Sequence, residues 1–422
     1  MMTYEEALTY IHSVSWTGSR LGLERTYELL GKLGSPEKSL QFVHIAGTNG
    51  KGSTAAMLAA ILEKAGYRTG LYTSPYIDRF NERISFNGEP IGDGELAELT
   101  ELIRPLADGM ADPPTEFELI TALAMVYFQR KACDIVVLET GMGGALDSTN
   151  VIDTPAAAVI TAMGLDHVRE LGPTMADIAR AKAGIIKSGG DVVSYGGNAE
   201  ADAVFAQTCR ERGAVLHQPD FSAIVPGPFG LEGQTFSYKD HQDLRIPLIG
   251  SYQLRNAAVV LETVAVLQGR GWAITEDHIR AGLASTRWPA RFEVLQRDPV
   301  FIVDGGHNPH GIQATAESLS RLFPGRKFHF LVGVMADKDV EHILGLIVPL
   351  AERFFCVRPN NPRAMAAEAL AERIRAMGVP AEARPSVAEG VRAVLESAGQ
   401  DGVACALGSL YMAGDVRRCF VK

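Results

Sequence analysis

The chain lacks two features that would place it on a membrane or a nucleic acid. No apolar run approaches the ~20 residues that a spanning helix needs. No basic block offsets the acidic balance: 50 Asp and Glu outnumber 40 Lys and Arg, giving a formal net charge of −10, so neither a membrane nor a nucleic acid is an expected partner. Cysteine is scarce. Cys133, Cys209, Cys356, Cys405 and Cys419 are scattered, odd in number and without CxxC spacing, which leaves neither a disulfide framework nor a zinc site to expect. Reduced thiols suit a cytoplasmic protein. The opening MMTYEEALTYIH is acidic and poor in apolar residues, so it does not read as a signal peptide. Internal repeats and low-complexity stretches are also missing.

What remains is ordinary globular composition, 46% hydrophobic and 21% charged over 422 residues, long enough for two or three domains. The chain is organised around QFVHIAGTNGKGST, Gln41 to Thr54. Phe42 to Ala46 form an apolar run suited to a buried parallel strand, and Met57, Leu58, Ile61 and Leu62 fall on one face of a following helix. Between them Gly47, Thr48, Asn49, Gly50, Lys51, Gly52 and Ser53 make a loop of the kind that holds polyphosphate. Backbone N–H groups point inward, the helix N-terminus adds positive potential, and the lysine supplies a point charge. The pattern is not the strict GxxxxGK[ST], because Gly52 separates Lys51 from Ser53; the bland alternative is a glycine-rich turn beside a surface lysine.

Residues 1–40 read as two helices around the turn-like SWTGSRLG, and NERISFNGEPI as a strand entering a turn. GDGELAELTELIRPLADGM and TEFELITALAMVYFQRKA read as helices, the second largely buried; CDIVVLETG and AAAVITAMG read as central parallel strands. Alternating strands and helices predict an α/β, doubly wound, mostly parallel sheet with ligands at the strand carboxyl ends. From about 215 to 250 short β pieces suggest a small antiparallel appendage, and beyond RWPARFEVL a second βα series begins. The expected division is 1–288 and 289–422.

Several residues sit where chemistry is expected. Glu139 ends an apolar strand, where a nucleotide-borne Mg²⁺ finds a carboxylate, although a helix-capping or exposed glutamate would look the same. Gly141, Gly143 and Gly144 permit close approach of a ligand, and Asp147, Ser148 and Asn150 add polar groups. Asp166 and His167 end a strand expected to neighbour that of Glu139. Lys182 lies in a helix expected to return past the site, where the default for a lysine is a solvated charge. Asp304, His307 and Asn308 end a strand of the second series, and Arg291 follows a proline. From a separate domain, an arginine and an acid could close over phosphate and ribose.

Taken in order, GTNGKGS, TSPY with NERI, ETGMGGALDSTN, GLDH, KAGIIK, YQLRNAA, RWPARFE, DGGHNPHG and GSLYMAGDVR resemble the folylpolyglutamate synthase/dihydrofolate synthase family of the Mur-ligase group. The resemblance runs from about Leu21 to Arg417. It implies an N-terminal P-loop domain and a C-terminal Rossmann-like α/β domain with ATP between them. Gly47 to Ser53 would hold phosphates, with Asn256, Arg291 and Asp304 completing the ATP site. Ser74, Glu139 and His167 match the family's Mg²⁺ ligands. Lys182 matches a lysine carried as a carbamate for a second Mg²⁺. Thr115, Phe117, Leu146, Asp147 and Ser148 match the region of the pterin-bearing substrate, and Lys51, Lys182 and His307 match groups near the reaction. Tyr252, PAR and DGG depart from the family's usual histidine, PGR and DGA.

The implied activity is an ATP-dependent amide ligase acting through an acyl phosphate. It adds L-glutamate to dihydropteroate, to tetrahydrofolate or to both, and works as a monomer. Two other classes fit the loop alone: a P-loop ATPase without ligase activity, and a nucleotide-binding interaction module. A UDP-muramoyl Mur ligase is a further alternative, disfavoured because 46 residues before Gly47 are too few for the usual ~100-residue UDP-binding domain.

Overall fold

The computed structural model describes residues 2–14 and 22–420. The two expected N-terminal helices are Tyr4–Ser13 and Glu24–Lys32; most of the turn expected between them lies outside the described residues. The first begins with a capping box, Thr3 Oγ1 accepting the Glu6 N–H while the Glu6 carboxylate accepts the Thr3 N–H.

The first sheet has eight strands: β1 (Phe42–Ala46), β2 (Thr69–Tyr72), β3 (Ile84–Phe86), β4 (Glu89–Pro90), β5 (Ile135–Glu139), β6 (Ala157–Ile160), β7 (Asp191–Ser194) and β8 (Val215–His217). Their order is β4-β3-β2-β5-β1-β6-β7-β8, parallel from β2 through β8, with β3 and β4 an antiparallel edge hairpin. β1, β5 and β6 are buried at every position, as strands covered by helices on both faces must be.

Two expectations change here. β1 lies between β5 and β6, so the Glu139 and His167 strands are not neighbours; the glycine loop after β1 is what they share. Residues 215–217 are also not part of the antiparallel appendage. They extend the parallel sheet as β8, because helix Ala199–Arg212 returns the chain parallel to β7. The appendage proper is β9 (Ile224–Gly230), β10 (Gly233–Tyr238) and β11 (His241–Ile246), all antiparallel.

A second sheet follows, built from β12 (Glu293–Arg297), β13 (Val300–Val303), β14 (Phe328–Val332), β15 (Ala351–Cys356), β16 (Ala381–Ala383) and β17 (Val403–Leu407). Its order is β12-β13-β17-β14-β15-β16, parallel except for the β12–β13 hairpin. Each sheet has its own apolar core. One joins helix Lys51–Lys64 to helix Ser251–Gly269 through Leu58, Ile61, Leu254 and Val260. Another packs Phe328, Phe330 and Phe354 of the second sheet against Ile343 and Leu370. Burial at about 25 cal/mol per Å² makes these cores the main stabilising term. Four cysteines are buried and Cys419 is exposed; all five are free thiols. Among the described residues no helix is long and apolar enough to cross a membrane.

Candidate functional site

The glycine loop joins β1 to helix Lys51–Lys64. Gly50 takes a left-handed φ of 88° at the helix N-cap, and a Cβ there would lie 2.7 Å from Asn256 Oδ1, so only glycine fits. The loop is pinned from behind. Thr48 and Asn49 N–H groups both donate to the Ala162 carbonyl, and Thr48 Oγ1 donates to Gly164 O at 3.0 Å. Gly52 faces the Trp288 ring, and buried Ser53 accepts from Gln253 Nε2 at 3.2 Å. Asn256 donates to Gln253 Oε1 at 3.0 Å. The insertion of Gly52 thus lets Trp288 close over the helix start.

Two lysines meet at the loop. Lys51 Nζ donates to the Gly47 carbonyl at 3.3 Å, and Lys182 Nζ to the same oxygen at 2.7 Å. Lys182 is 5% exposed; its helix Met175–Ala183 does return past the site, and the solvated default fails. Burial, then the nearby Lys51 charge, pulls its ammonium down to about 7. Glu139 is 3% exposed. Its carboxylate stands 3.8 Å from Lys51 Nζ and accepts the Ser74 N–H at 3.3 Å. Burial raises its pKa, only partly offset by Lys51. Ser74, Glu139, Lys51, Lys182 and the glycine loop are therefore brought together.

His167 lies at the other side of the loop, in a left-handed conformation (φ 52°). Burial lowers its pKa. Its neighbour Asp166 is a junction between the two sheets. Asp166 Oδ1 accepts from Lys338 Nζ at 2.7 Å, and Oδ2 is 4.0 Å from the Nε2 atoms of both His167 and His307. Burial alone would raise the Asp166 carboxyl; His167 and Lys338 outweigh it and hold it at about 2. His307 Nδ1 lies 3.0 Å from the Gly305 carbonyl, which fixes the proton on Nδ1 and leaves Nε2 a bare acceptor. Burial pushes its pKa to about 4.

In the second unit Arg291 donates to the Ala290 carbonyl at 3.1 Å, with its guanidinium against Gly305. Asp304 is 4% exposed and already well bonded. Oδ2 accepts the Phe292 N–H at 2.7 Å, and Oδ1 accepts the Gly306 N–H at 2.7 Å and Thr315 Oγ1 at 2.8 Å.

The remaining expected residues form a separate group beside the loop. Thr115 caps helix Glu116–Arg130 in a capping box with Glu118, and Glu118 is held by the Arg25 guanidinium at 2.8 Å. The Phe117 ring covers Gly141 and tilts against Tyr72 at 6.0 Å. Asp147 is buried and accepts the Met142 and Thr149 N–H groups at 2.8 and 3.0 Å. Ser148 is buried, whereas Leu146 is an apolar side chain 49% exposed. Lys338, Trp288 and His310 were not singled out in the sequence. The DKD after strand β14 was the available signal for Lys338, since it follows a strand carboxyl end.

The donor set fits a hard cation carried on a phosphate. Among the described residues no group of three or more His, Cys, Asp and Glu side chains is arranged to hold a metal ion by itself. Mg²⁺ needs no such cage, because it binds through one or two carboxylates together with substrate phosphates and water, and buried Glu139 beside the loop supplies a carboxylate.

Residues 45–264 match the Mur ligase middle domain and residues 290–410 the Mur ligase, glutamate ligase domain. The chain belongs to the Mur ligase family. It is 39% identical to the folylpolyglutamate synthase of Lacticaseibacillus casei, over 86% of this chain and 87% of that protein. It is 34% identical to the dihydrofolate synthase/folylpolyglutamate synthase of Bacillus subtilis, over 98% of each. Among solved structures it superposes on Mycobacterium tuberculosis folylpolyglutamate synthase complexed with ADP and AMPPCP, with a TM-score of 0.89, 30% identity and 99% of each chain covered. Escherichia coli FolC in complex with DHPP and ADP gives 0.87 and 30%, covering 99% of this chain and 97% of that one. Within its family the chain is a member of the folylpolyglutamate synthase/dihydrofolate synthase group and an ATP-dependent ligase.

Proposed function

We propose that the chain joins the amine of L-glutamate to the carboxylate of a folate-type acid, dihydropteroate or tetrahydrofolate, with cleavage of ATP to ADP and phosphate. The observation that carries this reading is the convergence of Lys51, Lys182 and buried Glu139 on one glycine loop that faces the strand ends of a second α/β sheet. A plain ATPase has no need of the second edge.

The N–H groups from Gly50 to Ser53 and the Lys51 ammonium hold the γ-phosphoryl group while it passes to the substrate carboxylate, giving an acyl phosphate and ADP. Mg²⁺, when bound, would neutralise charge on the transferring group; Glu139, Ser74 and His167 are its proposed ligands. The glutamate amine then forms the amide bond and phosphate leaves. Arg291, Asn256 and Asp304 complete the nucleotide site, and the bare Nε2 of His307 lies at the seam where the amine arrives. Phe117, Leu146, Thr115, Asp147 and Ser148 line the side proposed for the pterin. Holding three substrates in one cleft removes much of the entropic barrier, worth ~7–11 kcal/mol in good geometry.

Lys182 carries the sharpest part of the reading. An amine titrating at about 7 is substantially neutral at neutral pH, and only a neutral amine reacts with CO₂. The neutral amine adds to CO₂ and releases one proton, two counted from the ammonium, leaving a carbamate anion that would suit a second Mg²⁺. The reading further takes residues 1–288 and 289–422 as the two functional domains, in a monomer acting in the cytoplasm. The test is ADP release with dihydropteroate and then with tetrahydrofolate, each with and without L-glutamate. ADP release that depends on both acids is expected; equal turnover without either would replace the ligase by an ATPase.

A further inference from the structure

The glycine loop is hydrogen-bonded to the second unit through the side chain of Asn49. Asn308 Nδ2 donates to Asn49 Oδ1 at 3.0 Å, and Asn49 Nδ2 lies 3.0 Å from His310 Nδ1. The direction of this chain of bonds is fixed from one end. Asn308 is the N-cap of helix Pro309–Leu322, and its Oδ1 accepts the Gly311 N–H at 2.8 Å. A backbone N–H only donates, so that atom of Asn308 is the oxygen and its other arm is the amide nitrogen. Asn49 must then present its oxygen to Asn308 and its nitrogen to His310, whose Nδ1 is left as a bare acceptor with the proton on Nε2. At the loop end Asn49 is equally constrained. Its N–H is spent on the Ala162 carbonyl, and Gly50 follows in the left-handed region. Neither end can move without breaking a bond.

We infer that Asn49 is a positioning residue that ties the conformation of the phosphate loop to the placement of the His307–His310 segment. The proposal rests on the ligase reading above and deepens it. The loop conformation in which Gly50 is left-handed and the Asn49 N–H is bonded to Ala162 is the one that turns the Asn49 side chain towards Asn308. Asn308 directly follows His307, whose ring faces the seam and Asp166. Loading of the nucleotide is thereby read by the unit that receives the amino acid, so the second substrate meets an ordered site only beside bound ATP. A loop asparagine that merely lined the nucleotide would have no reason to be bonded twice across the seam.

The test is a double-mutant cycle with Asn49→Ala and Asn308→Ser. Serine keeps the helix cap, since its hydroxyl accepts the Gly311 N–H, but has no amide to donate. Each single variant is expected to raise the KM for L-glutamate about tenfold, and Asn308→Ser, which lies outside the nucleotide loop, to move the ADP dissociation constant less than threefold. The double variant should be no worse than the poorer single one. Multiplying effects, or a loss confined to nucleotide affinity, would overturn the coupling; so would an unchanged KM for L-glutamate in Asn308→Ser. Should Asn49→Ala fold poorly, Asn308→Ser leaves the loop intact and carries the test with the wild type. Hydrogen exchange supplies a readout independent of the ligase assignment. ADP should protect residues 307–312 in the wild-type chain and not in Asn308→Ser, and equal protection in both would sink the proposal. If wild-type ADP release needs neither acid but this difference in protection holds, the ligase reading fails and the coupling stands.

Discussion

Two buried carboxylates at the ends of strands, Glu139 in the first sheet and Asp304 in the second, are handled in opposite ways. Asp304 receives three donors at 2.7–2.8 Å from its own unit. Among the described residues Glu139 accepts the Ser74 N–H at a long 3.3 Å and faces Lys51 at 3.8 Å, and burial raises its pKa. A buried anion with loose partners is costly to keep. Lys182 is a buried cation with one carbonyl partner, at 2.7 Å, and is drawn down to about 7 by burial and Lys51. The first edge is therefore left for a ligand to complete, whereas the second is self-satisfied and serves to place other groups. Asp304 fixes Phe292, the residue after Arg291, and Gly306, the residue before His307.

Substitutions can break this contrast, beginning with the largest effect. Lys51→Ala should lower ligase turnover by about 10³-fold or more, as removal of a charged transition-state contact does, while thermal unfolding stays close to wild type. Wild-type turnover in a folded Lys51→Ala protein would remove the loop from the mechanism.

Lys182→Met should lose most activity and yet be the more stable protein at neutral pH. The folded pKa, about 7, lies below the reference 10.5. Between those values the unfolded chain binds more protons than the folded one, so wild-type stability rises with pH across that window and is lowest below it. Methionine removes the buried charge and with it that slope. Melting curves from pH 6 to 10 in CO₂-depleted buffer would show it, and a variant that melts lower than wild type at pH 6 would contradict it. Full activity of Lys182→Ala in the same buffer would exclude the carbamate.

Asp304→Ala should act first on stability, by about 3 kcal/mol, because it strands buried backbone N–H groups. Denaturant unfolding measures that loss. A ribose contact predicts in addition that the KM for ATP rises more than that for L-glutamate; a rise confined to L-glutamate would assign Asp304 to placement alone.

The smallest effect belongs to Lys338→Met. Asp166 is held at about 2, below its reference 3.8, so its contribution to stability is complete above about 3.8 and is lost as pH falls towards 2. Without Lys338 the acid limb of the stability profile should shift to higher pH, because the largely buried Asp166 carboxylate loses its cation partner at 2.7 Å. Unfolding between pH 2 and 5 would reveal it, and an unmoved acid limb would leave the pair without energetic weight.

The sequence by itself determined the elements and most of the chemistry. Apolar runs ending in glycine or polar loops fixed β1, β5, β6 and, in the second sheet, β13, β14, β15 and β17, because continuous burial demands continuous hydrophobicity. The helix of Lys182 and the loop of Gly47 to Ser53 were legible for the same local reasons. Only the tertiary structure decided strand order and burial. Nothing in the pattern says that β1 inserts between β5 and β6, since a buried parallel strand presents the same residues to any neighbour. Nor does a helix lysine announce that it is 5% exposed and shares the Gly47 carbonyl with Lys51, or an asparagine that it is bonded to Asn308 and His310. Those are contacts over 135, 259 and 261 positions of chain; the winding of the first sheet closes the first and the meeting of the two sheets the other two, and neither is a matter of local propensity.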